Sequence, residues 1–414
     1  MTRMKDSGIE WIGEVPEEWG IMKLSQSFSE HKLKNLGNIE QNLLSLSYGK
    51  IVRKSIKSSV GLLPESFETY NIIDSNDIVL RLTDLQNDKR SLRTGLANER
   101  GIITSAYLTI RLIDGNDSAK YYHYLLHSYD KCKVFYNFGG GVRQGGTWDD
   151  LSVLKMIIPP KHEQTKIADF LDKKVAQLDK VKSLLEEQIK SLEDYRQSLI
   201  YETVTKGLDK TVPLKDSGVD WIGQIPEGWE IRKIGSMYSE RSEKVSDKDY
   251  PPLSVTKKGI LPQVEGVAKT DNGDNRKLVK KGDFVINSRS DRKGSSGIAK
   301  QDGSVSLINI VLENSLRVND LYYNFLFRSV LFAEEFYKWG NGIVADLWST
   351  HWTAMKRIGI PVPPLKDQEE ISYFLEKRTT QLDELIAIKQ KQIENINKQR
   401  QTLIYDYVTG KRRV

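Results

Sequence analysis

The stretch MKDSGIEWIGEVPEEWGIMKL at residues 4–24 is written a second time, as LKDSGVDWIGQIPEGWEIRKI at residues 214–234, with twelve of 21 positions identical. The identities include Trp11 with Trp221, Pro16 with Pro226 and Trp19 with Trp229. A second block opens at Pro159-Pro160 as PPKHEQTKIADFLDKKVAQLD and returns from Pro363 as PPLKDQEEISYFLEKRTTQLD. Its two copies reach matching ends, RQSLIYETVT at 196–205 and RQTLIYDYVT at 400–409. Self-similarity on this scale fixes the architecture before any local signal does, because each copy must build the same fold.

Between the blocks lie two bodies, residues 25–155 and 235–359, that diverge strongly. They keep landmarks: Asp77-Ile-Val beside Asp283-Phe-Val, Gly95-Leu-Ala beside Gly297-Ile-Ala, and Trp148 beside Trp352. A duplicated scaffold serving stability alone would diverge evenly. Here the blocks stay alike and the bodies do not, which reads as two copies of one fold with different surfaces.

The second block is helical. From Lys161 to Lys206 there is neither Pro nor Gly, and leucine recurs every seven residues at Leu171, Leu178, Leu185, Leu192 and Leu199, with Val175 and Ile189 at the complementary core spacing. The later copy gives Leu375, Leu382, Lys389, Ile396 and Leu403, with Ile386 and Ile393 in the other register. Some 40 helical residues extend roughly 60 Å, and neither helix is stable with such a stripe in water. Pairing the two stripes buries both. An antiparallel arrangement is natural because the chain travels out, builds a domain and comes back, and the seam leaves apolar flanks for partner helices.

In the bodies, Asp77-Ile-Val-Leu-Arg-Leu and Tyr107-Leu-Thr-Ile-Arg-Leu alternate as half-buried strands do, while residues 121–136 and 321–338 read as aromatic-rich helices. The expected fold is α+β: two globular mixed α/β domains separated by two long antiparallel coiled-coil helices, related by a pseudo-twofold internal repeat. The segments are 1–158, 159–207, 208–362 and 363–414.

A chain of 414 residues exceeds one ordinary core. With 38% hydrophobic and 29% charged residues it has the composition of a folded, soluble protein. No leader-like N-terminus and no apolar run of membrane-spanning length are visible, so a cytoplasmic location and no membrane partner are expected. The single cysteine, Cys132, excludes an intrachain disulfide and a multi-cysteine zinc site, and reads as a small apolar residue. A net charge of +6 and a pI near 8.9 suit an anionic partner without identifying one.

Catalytic signatures are absent from the sequence. There is no Gly-x-x-x-x-Gly-Lys-Ser/Thr phosphate loop, no strand-linked Gly-x-Gly-x-x-Gly, and no Asn/Asp-Pro-Pro-aromatic tetrapeptide of an adenine methyltransferase. His123 and His127 share a helix face but lack the glutamate of a zinc protease motif, and Glu187 with Lys190 reads as a solvated pair. No catalytic residue and no metal ligand are assigned.

A binding chemistry remains. Body one gathers Lys50, Arg53, Lys54 and Lys57, then Arg81, Gln86, Asn87, Arg90 and Arg93, and Arg143-Gln144 in the glycine run from Gly139 to Gly146. Body two has Lys257-Lys258, then Asn287, Arg289, Ser290, Arg292, Lys293 and Ser295 in one polar segment, and Asn341 between two glycines. Arg and Lys clasp guanine edges and phosphates, and Asn and Gln pair bidentately with adenine.

The segments Trp-Ile-Gly-x-x-Pro-Glu-x-Trp at Trp11 and Trp221, and Pro-Pro-x-x-Glu/Asp-Gln at Pro159 and Pro363, resemble those of the specificity subunit of type I restriction-modification systems. The resemblance spans nearly the whole chain. It implies two target-recognition domains on double-stranded DNA, each reading one part of an asymmetric bipartite site, with the paired helices as spacer. It also implies two methyltransferase subunits bringing S-adenosylmethionine and motor-nuclease (restriction) subunits using ATP and magnesium, with no cofactor in this chain. One departure is that the second block ends soon after its helix, at Gly410-Lys-Arg-Arg-Val, which bears on how that end meets the N-terminal segment. The competing reading is a coiled-coil scaffold with two protein-binding domains, whose DNA affinity would lack the steep salt dependence of phosphate contacts. Deleting one heptad from each long helix is expected to shorten or abolish the permitted gap between half-sites, read by mapping methylated sites; an unchanged gap would refute the spacer role.

Overall fold

The computed structural model of the protein describes residues 3–55, 64, 66–85, 92–138, 145–263, 273–342 and 348–414. The helices are α1 (Ala119–Lys131), α2 (Trp148–Ser152), α3 (Lys161–Lys206), α4 (Asp320–Phe327), α5 (Val330–Lys338), α6 (Trp352–Met355) and α7 (Leu365–Val408). The chain forms two compact units, Met1–Leu185 with Lys391–Val414, and Glu186–Gln390. Each therefore holds one body together with the opening part of one long helix and the closing part of the other.

The two bodies repeat strand for strand. In unit 1 a four-stranded antiparallel sheet runs Thr94–Leu96, Ile78–Leu80, Leu108–Leu112, Phe28–Glu30, beside a three-stranded sheet Gly101–Ile103, Asn71–Ile73, Leu33–Lys34. Unit 2 has Ser296–Ile298, Phe284–Asn287, Asn309–Asn314, Tyr238–Glu240, and Gly303–Val305, Arg276–Val279, Lys244–Val245. Each adds a hairpin, Leu44–Ser47 with Lys50–Arg53 and Leu253–Thr256 with Gly259–Pro262.

The central strands are buried on both faces rather than half-buried. Ile78 and Leu80 point into a core with α1 and Ile110, while Val79 packs the other way with Leu44, Ile73 and Ile103. Phe284, Ile286 and Val285 divide in the same manner. The period-2 alternation is real, but both sets of side chains have an apolar neighbour.

The repeated blocks build a joint at one end of each body. Gln164 and Gln368 are buried, and each donates to the first proline of its own motif, Pro159 O at 3.1 Å and Pro363 O at 2.9 Å. Their side-chain oxygens accept the backbone N–H of Ser118 at 3.0 Å and of Asn319 at 2.9 Å, the residues that cap α1 and α4. The Tyr121 hydroxyl donates to Val408 O at 3.0 Å, and that of Tyr322 to Val204 O at 2.7 Å, so each domain helix holds the closing end of a long helix. Trp19 and Trp229 are buried and donate to Glu163 at 3.1 Å and Asp367 at 3.0 Å, in the first turns of α3 and α7. Burying a ring of that size contributes roughly 2–3 kcal/mol.

The C-terminal segment closes unit 1 as the chain interior closes unit 2. Tyr405 donates to Trp11 O at 2.9 Å, as Tyr201 does to Ile222 O at 3.0 Å. Gly410 and Gly207 end their helices at φ 71° and 74°. A Cβ on Gly410 would stand 2.4 Å from Pro16, so only glycine fits against the N-terminal segment.

Within each unit the two long helices touch and run in opposite directions. In unit 1 Phe170 meets Tyr407 at 4.5 Å between ring centroids, and Asp179 meets Arg400 at 3.6 Å. In unit 2 Lys389 donates to Gln188 at 2.6 Å, and Arg196 meets Asp383 at 3.2 Å. Among the heptad residues Leu171, Val175, Leu375 and Leu382 are buried, and Leu178, Leu185, Ile189, Leu192, Leu199, Ile386, Ile393, Ile396 and Leu403 are partly covered. Val181, Leu184, Leu385 and Ile388, off that stripe, are exposed.

Further expectations change. The aromatic segment at 321–338 is two helices, because Ser329 adopts extended backbone and its hydroxyl accepts from Phe332 N, starting α5. In α1 the equivalent Ser128 bonds back to Tyr124 O at 3.2 Å and the helix continues to Lys131, short of the expected 136, because Lys133 takes a left-handed φ of 63° and Val134–Asn137 forms a 3-10 turn. Cys132, expected as an apolar filler, is exposed because α1 ends there at the surface.

His123 and His127 of α1 each keep one enclosed ring nitrogen without a hydrogen-bond partner among the described residues. Burial first, then the charge of Arg400 on His123 and of His123 on His127, lowers them from 6.5 to about 4 and about 3. Between pH 6.5 and about 4 the unfolded chain takes up protons that the folded chain refuses. Stability is therefore fully present above 6.5 and falls as pH drops through that window. Urea unfolding at pH 7 and pH 4.5 is expected to differ by on the order of 3 kcal/mol more in the native chain than in a His123→Asn, His127→Leu variant. Equal pH dependence in both would contradict this.

Candidate nucleic-acid interface

The basic residues of body one fall into different settings. Lys50 and Arg53 lie on the hairpin strand Lys50–Arg53, whose turn, Tyr48-Gly49, has both residues at positive φ, 47° and 77°. Lys50 Nζ reaches Asp179 of α3 at 3.4 Å, and Arg53 forks onto Glu99 with Nε at 2.8 Å, on the surface. Glu99 is drawn below the usual carboxylate range by that bond. Lys54 is exposed beyond the strand end, its backbone N–H donating to Leu43 O at 2.8 Å.

Arg93 is not presented to a partner: it is fully buried, its guanidinium donating to Thr83 O at 2.6 Å and to Arg81 O and Asp84 O at 3.3 Å. Its ring neighbour is Tyr136, and its own N–H is held by Asp130 at 2.7 Å. Arg93 thus shapes the chain at 81–84, where Arg81 is partly exposed. Lys57, Gln86, Asn87, Arg90, Arg143 and Gln144 lie outside the described residues.

In body two Lys257 and Lys258 form the exposed hairpin tip. The polar segment folds on itself. Asn287 is buried and its Oδ1 accepts from Arg289 N at 3.0 Å, while Ser295 is buried with its N–H on Arg292 O at 3.0 Å. Arg289, Arg292 and Lys293 point outward, near Asp291 at 3.0 Å, Asp291 at 3.6 Å and Glu334 at 3.4 Å respectively. Ser290 N–H is on Trp348 O at 3.0 Å, and Asn341 pairs through its backbone with Ser349 at 2.9 and 3.1 Å.

Arg289, Ser349 and Trp352 line a cleft of about 670 Å³ that also receives Glu240, Lys277 and His351. Unit 1 carries a cleft of about 360 Å³ at the repeat-equivalent place, with Glu30, Asn71, Thr147 and Trp148. The glutamate and tryptophan are kept and the other walls differ. Sequence reading missed this feature because its residues come from five separate segments.

His31, Asp74 and Asp77 have ligand atoms close enough to share a metal ion. Arg111 already stands among them, donating to Asp77 and Asp74 at 2.7 Å and lying 3.2 Å from His31 Nε2. The bond to Asp77 holds its guanidinium above the usual range; burial pushes the Asp74 carboxyl up, but Arg111 and Arg100 together hold it below the usual carboxylate range. In unit 2 Arg241, at the repeat position of His31, bridges Asp283 at 2.7 Å and Glu313 at 2.8 Å. The buried acid is kept and its arginine comes from the neighbouring strand. Both are structural ion pairs.

The sequence pattern of the family described as "Type I restriction modification DNA specificity domain" matches residues 17–193 and 226–398. Over 97% of this chain, 24% of positions are identical to the putative type I restriction enzyme MjaX specificity subunit of Methanocaldococcus jannaschii, 96% of which is covered. The MjaVIII specificity subunit of the same organism is 22% identical over 97% of this chain and 94% of its own. Among solved structures, one described as the structural basis underlying complex assembly and conformational transition of the type I R-M system aligns with TM-score 0.70 at 15% identity, covering 95% of this chain and 98% of that one. The HsdS subunit from Thermoanaerobacter tengcongensis aligns at 0.50 and 16%, covering 96% and 98%.

Arg93→Ala is expected to cost about 2–4 kcal/mol in urea unfolding, since it empties the space of a fully buried side chain and leaves part-buried carbonyls unpaired. Arg289→Ala is expected to leave unfolding within about 0.5 kcal/mol and to weaken duplex binding by about 1–3 kcal/mol where it meets a base edge. The reverse pattern would show the two roles to be misassigned.

Proposed function

Because the chain belongs to the type I restriction-modification DNA specificity family, we propose that it reads an asymmetric bipartite DNA target, one half-site per recognition domain, and carries out no chemistry itself. The observation that carries this reading is a framework repeated strand for strand whose outward-facing walls differ. The hairpin tips are Tyr48-Gly49 and Lys257-Lys258, and the cleft walls Asn71 and Thr147 stand where the other copy has Lys277 and His351. Identical frames with unlike surfaces suit two unlike half-sites better than a palindrome.

The chain acts as the adaptor of a larger complex. Val181 and Leu184 on α3, and Leu385 and Ile388 on α7, leave apolar stripes for helices of two methyltransferase subunits, which would hold S-adenosylmethionine. Restriction subunits would hold ATP and magnesium. Among the described residues no helix is long and apolar enough to cross a membrane.

Replacing residues 25–155 by another such body is expected to alter one half-site only, read by mapping methylated adenines. A change in both halves would contradict one-domain-per-half-site reading.

A further inference from the structure

At one corner of unit 2 the end of α4, the tip of the 253–262 hairpin and the long helix α3 come together. Arg328, the residue that ends α4, donates through a terminal guanidinium nitrogen to Lys257 O at 2.8 Å, which ties it to the tip bearing the exposed Lys257 and Lys258. Arg196 of α3 stands near enough to matter electrostatically: crowding by the surrounding chain, then the charge of Arg196, pull Arg328 below its usual range. Arg196 is itself 3.2 Å from Asp383 of α7. The Arg328 guanidinium thus lies against the backbone of the tip that carries the exposed Lys257 and Lys258, and Arg196 nearby is ion-paired with Asp383. Like charges gathered together disfavour each other until an anion arrives.

We propose that this corner grips a backbone phosphate of duplex DNA through Arg196, Arg328 and the Lys257-Lys258 tip. The assignment rests on the DNA-reading function above and names which contacts position the duplex rather than specify its sequence. Phosphate fits better than a base edge. The donors are all cationic and come from three elements, the make-up of a contact that positions the duplex backbone. The long helix then does more than space the domains, since it supplies part of the electrostatic attraction.

The repeat supplies an internal contrast. Arg400 and Asp179 occupy in unit 1 the positions of Arg196 and Asp383, 3.6 Å apart, and Asp179 also meets Lys50 of the hairpin at 3.4 Å. His127, kept neutral by burial, stands where unit 2 has Arg328, and the turn is Tyr48-Gly49 where unit 2 has two lysines. The cationic excess is therefore smaller, and the grip belongs to unit 2.

The test is duplex affinity of the full chain from low to high salt, for a target duplex and a scrambled one, with Arg328→Gln and with Lys257→Gln plus Lys258→Gln. The lysine pair is exposed, so it remains informative should Arg328→Gln disturb folding, which thermal melting reports. Each lost contact is expected to weaken both duplexes alike, about fivefold at fixed salt, and to reduce the slope of log affinity against log salt by about one. Native slopes in both variants, or a loss confined to the target duplex, would overturn the corner while leaving DNA reading intact. No salt-dependent duplex binding by the native chain would overturn both. Unchanged slopes with loss of affinity for an acidic protein partner would reassign the corner and also overturn the proposal.

Discussion

Each unit closes only when the start of one long helix and the end of the other are present together. The buried Gln164 satisfies the cap of α1 and its own proline carbonyl, while Tyr121 satisfies a carbonyl in the last turn of α7. Gln368 and Tyr322 do the same in the other unit. A buried amide or phenol left without such a partner costs about 1–3 kcal/mol, and several sit side by side. The joint is therefore close to all-or-none. That constraint bears on which parts of the repeat stay alike: Trp19 and Trp229, Gln164 and Gln368, and Tyr121 and Tyr322 are kept where their hydrogen bonds cross from body to helix.

With the joint held, the bodies are free to change. The four-stranded sheet buries both faces, so most of its interior positions are apolar, and much of what varies lies on hairpin tips, cleft walls and outward loops. The ion pairs of the frame show the same economy. Asp77 and Asp283 are both buried and both neutralised, yet one arginine comes from Leu108–Leu112 and the other from the residue after Tyr238–Glu240. The requirement is a positive charge at that point, not a particular strand of origin.

The basic surface divides along similar lines. Arg93 carries charge but spends its donors on backbone carbonyls, whereas Arg289, Arg292 and the Lys257-Lys258 tip keep theirs at the surface. Positive residues in the bodies are thus of at least two kinds, those that hold backbone carbonyls and those exposed at the surface. Residue type alone does not separate them.

The sequence by itself determined the repeat, the place of both long helices, their apolar seam and the fold class, because periodicity is written in neighbouring residues and survives any tertiary detail. Trp19, Trp229, Gln164 and Gln368 were also marked by their duplication, though not the bonds they make. Only the tertiary structure decided that Asn287, Ser295 and Arg93 face inward, that the central strands are covered twice, and that the 321–338 segment breaks at Ser329. The physical reason is range. A helical stripe is legible over a few turns, but whether a lone polar side chain is buried depends on partners such as Asp130, 37 residues from Arg93, or Gln368, 49 from Asn319.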